Sequence, residues 1–442
     1  MHCPSGLAGR RGVETVILTT SCFGRISISL QHSTYKISRS KHHTSISGVK
    51  MRAPTARAHW LNADRTFGYA KVFMAWYILV FIGIVVLSKN GLMPKPEGMP
   101  VGTDFIAFWG ASYLALHGHA ADAYELANLF AAQQVAVPAS TAVYAWSYPP
   151  TFYLAVLPLA LMPYLTAYGV FMATTFPAFL AAMRRVVPDP RAWLLVFAFP
   201  AVAINLGHGQ NGFLTAALAG FAMALLDRRP VVAGVLIGLL SIKPHLAVLF
   251  PVALLVSRRW AAFAAAAGTV AGFLAICLGV FGPGVFEAFM RSAGFTQAAL
   301  ESGVLPWTKM TTVFAGMRMI GTPIAAAYAV HIAVAVLAIA ATAYTWAKDA
   351  PERLRASMLF VATFLISPYA YWYDLVWLAF PIAWMASEAL QTGWRRGERE
   401  ILFVAWLMPL LSPLTAMALG VPVGAIVLLC FAGVVLQRIR QP

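Results

Sequence analysis

Acidic residues are the scarcest chemistry in this chain: 16 Asp and Glu stand against 32 Lys and Arg in 442 residues. Charged residues of both signs make up only 11% of the sequence and hydrophobic residues 60%, with a mean hydropathy of +0.72. That balance excludes an ordinary soluble domain with a polar surface. Cysteine is nearly absent. Cys3, Cys22, Cys277 and Cys430 show no paired spacing, so neither a disulfide framework nor a metal site is expected. Familiar catalytic signatures are missing too. No Gly-x-x-x-x-Gly-Lys phosphate loop points to a built-in ATPase, and no Asp-x-Asp pair stands ready to clamp a metal on a nucleotide diphosphate. Neither Gly-x-Ser-x-Gly nor His-Glu-x-x-His suggests hydrolysis. These gaps fit a donor that is not a nucleotide, and they call for no cofactor.

What the chain does have is apolar runs, recurring from Val72 to Leu436. A helix needs ~20 such residues to cross a bilayer. Backbone polar groups in lipid must be satisfied internally, and the runs lack the alternation of a barrel, so they are helices. The expected fold is all-α: a polytopic integral membrane protein with about 10–13 transmembrane helices and surface helices in its first external loop. Several spans are short or broken, with Pro158, Pro163, Pro177, Pro200, Pro251 and Pro381 punctuating them.

The net charge of +16 is no nucleic-acid signal. Arginines fall in short clusters between apolar runs, at Arg184-Arg185, Arg228-Arg229, Arg258-Arg259, Arg395-Arg396 and Arg438 to Arg440. That is the positive-inside pattern of cytoplasmic loops, so the partners are membrane lipids and no nucleic acid is expected. Residues 1–66 read as a basic N-terminal extension, 67–436 as the transmembrane domain and 437–442 as a cytoplasmic tail. The first 50 residues carry one acid, Glu14, and are rich in Ser, Arg and His. They read either as transit-peptide-like or as sequence upstream of a true start at Met51.

Keeping the basic clusters inside places three polar turns outside: His208 to Asn211, Lys243 to His245, and Ser367 to Asp374. They then share a face with Asp104, which opens the first external segment, and with a second external loop at about 282–311. One region does not balance. Two crossings between Pro150 and Arg184 would leave Arg184-Arg185 outside, so either that stretch crosses once or the pair is an exception to the charge rule.

Each polar candidate has a bland reading beside it. Asp104, ahead of the apolar run from Phe105, fits both a helix N-cap and a general base, and one residue can serve as both. Gln210 and Asn211 lie in a stretch with three glycines, suited to a plain turn or to a backbone that approaches a ligand closely. Lys243 interrupts an apolar run and is either a cation for a phosphate, with His208 and His245 nearby in the polar turns, or a lysine snorkelling to the interface. Tyr369, Tyr371, Trp372 and Tyr373 read most simply as an interfacial aromatic belt, while an acid such as Asp374 so close to a span is rare.

Taken in order, these segments resemble the GT-C class of integral-membrane glycosyltransferases, and specifically glycosyltransferase family 87. The resemblance rests on Asp104-Phe105, Tyr148-Pro149-Pro150, Gly209-Gln210-Asn211, Ala233 to Gly238 leading to Ile242-Lys243-Pro244, and Ser367-Pro368 with Tyr373-Asp374. It implies transfer of a hexose, typically mannose as in α-(1-2)-mannosyltransferases, from a polyprenyl-phosphate sugar donor to a lipid or glycan acceptor hydroxyl. The reaction would be inverting and would lie on the extracytoplasmic face of the plasma (inner) membrane. Asp104 would be the base. Lys243, His208 and His245 would meet the donor phosphate, and Gln210, Asn211, Tyr148, Tyr373 and Asp374 the sugar or acceptor. Where the mannosyltransferase branch carries histidines near the Ser-Pro segment, this chain carries Tyr373-Asp374. A transporter or flippase of lipid-linked sugars is the competing expectation, since broken helices with polar breaks occur there as well.

Overall fold

The computed structural model describes residues 59–89 and 100–440; residues 1–58 of the expected N-terminal extension and the final two of the expected tail lie outside the described residues. Among the described residues the chain is α-helical with short 3-10 turns, and its only strand-like pairing is an isolated bridge between Met310 and Tyr371. The all-α membrane architecture expected from composition is therefore the one observed.

Among the described residues, five helices are long and apolar enough to cross a membrane: the windows Ala63–Gly83, Tyr164–Met183, Trp260–Phe281, Ile324–Ala347 and Glu398–Leu419. A sixth crossing is available if Pro190–Phe197 and Pro200–His208, bent by 52° at their break, act as one. Pro200 causes no loss there. It occupies the first turn of its helix, where the missing N–H would have been unpaired anyway. Other apolar helices are shorter. Pro150–Leu161 spans 12 residues, about 18 Å at 1.5 Å each, against a hydrocarbon core of ~30 Å. By length, then, the stretch from Pro150 to Arg184 supplies one crossing, in Tyr164–Met183, preceded by a broken segment.

The helix Glu352–Ile366 is the packed centre, with every residue from Leu354 to Leu365 buried. Ile324–Ala347, Ala379–Thr392 and Gly424–Arg440 pack around it. At the other extreme, Trp260–Phe281 buries only Ala262, Ala266 and Cys277, leaving its apolar surface to lipid. That helix is held by close approach rather than by large side chains. A Cβ built on Gly234 would lie 2.2 Å from the Ala262 carbonyl oxygen, and one on Gly238 would lie 2.7 Å from the Ala266 carbonyl oxygen. Small residues four apart let two backbones meet where lipid gives helices little hydrophobic reason to associate.

This contact is testable. Gly234→Ala should lower the thermal stability of the detergent-purified protein by roughly 1–3 kcal/mol, the usual cost of overpacking. Gly268→Ala, on the partner helix with nothing within 4 Å of the added carbon, should leave the melting temperature unchanged.

Candidate active site

Several chain breaks converge on one cavity of about 570 Å³. Seven of the nine residues singled out from sequence line it: Asp104, Tyr148, His208, Gln210, Lys243, His245 and Tyr373. The other two, Asn211 and Asp374, are 0% and 1% exposed and stand behind the wall, each bonded to Lys243.

Asp104 precedes the helix Phe105–Leu116, whose residues Phe105 to Ser112 are all buried, yet its side chain makes no capping bond. A cap there would contribute about 1 kcal/mol. The carboxylate instead faces the cavity, about a quarter exposed, and accepts a 2.9 Å bond from Gln210 Nε2. The orientation of that amide is forced. Gln210 Oε1 already accepts from Tyr148 O–H at 2.9 Å and from the Asn211 backbone N–H at 3.2 Å, so the NH2 group must point to Asp104. His208 completes the surroundings, with Nδ1 2.9 Å from Thr103 Oγ1 and 3.6 Å from Asp104 Oδ2. The backbone ties these turns as well, through Asp104 N–H donating to the His208 carbonyl at 3.0 Å. Gly209 makes the approach possible: its φ is +65°, and an added Cβ would lie 2.7 Å from Phe105 Cβ.

Lys243 sits in the break between Leu240–Ile242 and Pro244–Ala247. Its ammonium donates to Asp374 Oδ1 at 2.6 Å and to Asn211 Oδ1 at 3.0 Å, and lies 5.8 Å and 5.1 Å from the Tyr148 and Tyr373 ring centroids. With Lys243 3% and Asp374 1% exposed, both side chains are buried, so the snorkelling reading does not hold. Burial pushes the Asp374 carboxyl above the usual carboxylate range, and the Lys243 ammonium works against that rise. Burial also lowers His245 to about 3, helped by Lys243, so its imidazole is neutral at physiological pH. Its Nε2 is buried without a partner.

The aromatic segment is not an interfacial belt. Tyr371 and Tyr373 are each 8% exposed and stack at 5.4 Å, while Tyr369 packs edge-on against Tyr371 at 5.2 Å. The stretch lies beside residues 310–311 through the Met310–Tyr371 bridge and a 3.4 Å bond from Thr311 N–H to the Ala370 carbonyl. Tyr369, Tyr371, Trp372 and Tyr373 all line the cavity, the last two from the start of the 3-10 turn Trp372–Leu378. Burial keeps Tyr148 and Tyr373 well above the ordinary tyrosine range, so both remain phenols able to donate.

Sequence reasoning assigned no role to one side of the cavity. The expected external loop at about 282–311 contains a 19-residue helix, Gly284–Ser302, which contributes Phe289, Ser292 and Thr296 to the lining. Leu305, Pro306 and Lys309 follow. The signal was present in the amphipathic pattern of that helix, whose opposite side exposes Glu287 and Arg291 beside Met290 and Phe295.

A model of glycosyltransferase family 87 matches residues 146–368, just over half of the chain. No curated protein and no solved structure matches. The matched region takes in Tyr148, His208, Gln210, Asn211, Lys243 and His245, while Asp104 and Asp374 fall on either side of it.

The buried pair makes a stability prediction. Lys243→Met leaves Asp374 without its partner and should cost about 3–5 kcal/mol, as should Asp374→Leu. The double variant Lys243→Met/Asp374→Leu should recover most of that loss, because no buried charge remains. Thermal unfolding of all three in detergent checks it; a double variant as unstable as the sum of the singles would rule out the pairing.

Proposed function

Because the chain belongs to glycosyltransferase family 87 and is therefore a membrane glycosyltransferase, we propose that it transfers a hexose, mannose first among the candidates, from a polyprenyl-phosphate sugar to a lipid or glycan hydroxyl, with Asp104 as the base. One observation carries the assignment of the base. Asp104 occupies a helix start without capping it, and its carboxylate is fixed by Gln210 within the cavity. At about 570 Å³ the cavity lies within the ~300–1,000 Å³ usual for small-ligand sites.

In this reading the acceptor hydroxyl gives its proton to Asp104 as its oxygen forms a bond to the anomeric carbon. The bond from that carbon to the phosphate oxygen breaks, and its electron pair leaves with polyprenyl phosphate. A single displacement from the opposite side inverts the anomeric centre. Gln210 and Tyr148 hold Asp104 in position for the attack, and the phenols of Tyr148 and Tyr373, with Asn211 behind them, favour a sugar with several hydroxyls. His208 and His245 would hydrogen-bond the donor phosphate, His245 through its unpartnered Nε2. Lys243 takes a different part from the one its sequence context suggests. Its charge is matched by Asp374, so in the wall it fixes its neighbours in place and brings no free charge to the donor.

Transfer as the family chemistry favours an enzyme over a transporter. The positive-inside pattern supports an active site on the extracytoplasmic side of a plasma membrane.

The test is transfer of radiolabel from polyprenyl-phosphate-mannose to a lipid extract, in membranes holding equal amounts of wild type or Asp104→Asn. Wild-type transfer that falls by about 10²–10⁴-fold in the variant is expected, the usual share of a general base. Equal transfer by both would remove Asp104 from the chemistry. Wild-type activity only with another sugar would replace mannose.

A further inference from the structure

The cavity holds two lysines, and only one of them has its charge to spare. Lys243 is 3% exposed and spends its charge on Asp374 at 2.6 Å. Lys309 is exposed at the cavity wall and, among the described residues, has no carboxylate within ion-pair distance. His245 is held neutral, and His208 already faces Asp104. We infer that Lys309 is the cation that meets the phosphate of the lipid-linked donor, an inference that rests on the donor class proposed above.

Three features support this placement. First, Lys309 is not on a free loop. It ends the turn Trp307–Lys309, and the next two residues pair with the aromatic segment through the Met310–Tyr371 bridge and the bond from Thr311 to Ala370. Its ammonium stands 5.7 Å from the Trp372 ring centroid. A flexible side chain is thus anchored at the cavity rim, where cation–π attraction limits its wandering.

Second, its immediate neighbours are apolar. Leu305 and Pro306 line the cavity beside it, and Val304 is 75% exposed. A cation next to a strip of exposed apolar residues matches a phosphate that carries an isoprenoid tail. A soluble sugar phosphate would have no use for that strip.

Third, the charge changes in the direction a catalyst can exploit. The donor phosphodiester carries one negative charge, and the leaving polyprenyl phosphate gains a second as the bond to the anomeric carbon breaks. An unpaired ammonium at that oxygen gains strength as the reaction advances, which is what lowers a barrier. The Lys243–Asp374 pair, neutral as a unit, offers no such gain.

The experiment uses the full chain in neutral maltoside micelles free of anionic lipid, with polyprenyl phosphate as the probe. Its inhibition constant is measured for wild type, Lys309→Gln and Lys309→Arg, together with separate KM values for donor and acceptor. Lys309→Gln should weaken polyprenyl phosphate about tenfold and raise the donor KM, the scale of one charge-assisted hydrogen bond. The acceptor KM should stay unchanged, and Lys309→Arg should retain most of the affinity. The same melting temperature for all three would confirm that this exposed position leaves the fold intact. Equal inhibition of wild type and Lys309→Gln would overturn the inference alone, and is the result expected of a lysine that only meets bilayer headgroups. Wild type that does not bind polyprenyl phosphate would overturn the donor reading, and this inference with it.

Discussion

Lys243 and Asp374 meet at 2.6 Å almost out of reach of water, and the polar part of the structure is strung from that contact. Lys243 also bonds Asn211, whose backbone N–H donates to Gln210, and Gln210 donates to Asp104. One continuous line of bonds therefore joins a dry ion pair to the carboxylate that faces the cavity. A buried pair of this kind adds little net stability, because desolvation consumes most of the Coulombic attraction. Its effect is on position. Breaking it strands a charge, so the helix breaks at Asn211, Lys243 and Asp374 keep one arrangement.

The same network accounts for an apparent waste at Asp104. A helix whose first eight residues are buried would ordinarily draw on the aspartate before it as a cap. Here the carboxylate is turned away and fixed by an amide whose carbonyl is already taken by two other donors. About 1 kcal/mol of local stability is forgone for a group held ready at the cavity, the kind of local rule-breaking that marks functional sites.

The helix Gly284–Ser302 is mixed on both sides: one adds Phe289, Ser292 and Thr296 to the cavity, and the other exposes Met290 and Phe295 beside Glu287 and Arg291. A helix so patterned belongs at the boundary between bilayer and water.

The class, and most of the named residues that come to line one cavity, were legible in the residues alone. Apolar runs of bilayer length can only be helices, and in a chain this poor in charge each polar interruption stands out, which is why Asp104, Gln210, Lys243 and Asp374 could be named. The choice between their alternative roles needed the fold. Whether Asp104 caps, whether Lys243 snorkels and whether the tyrosines form a belt all depend on partners far off in the chain. Asp374 lies 131 residues from Lys243, and Gln210 lies 106 residues from Asp104. Local pattern reports which side chains must find partners inside a membrane. Only packing decides which partners they find, and so which of the two cavity lysines is matched by a carboxylate.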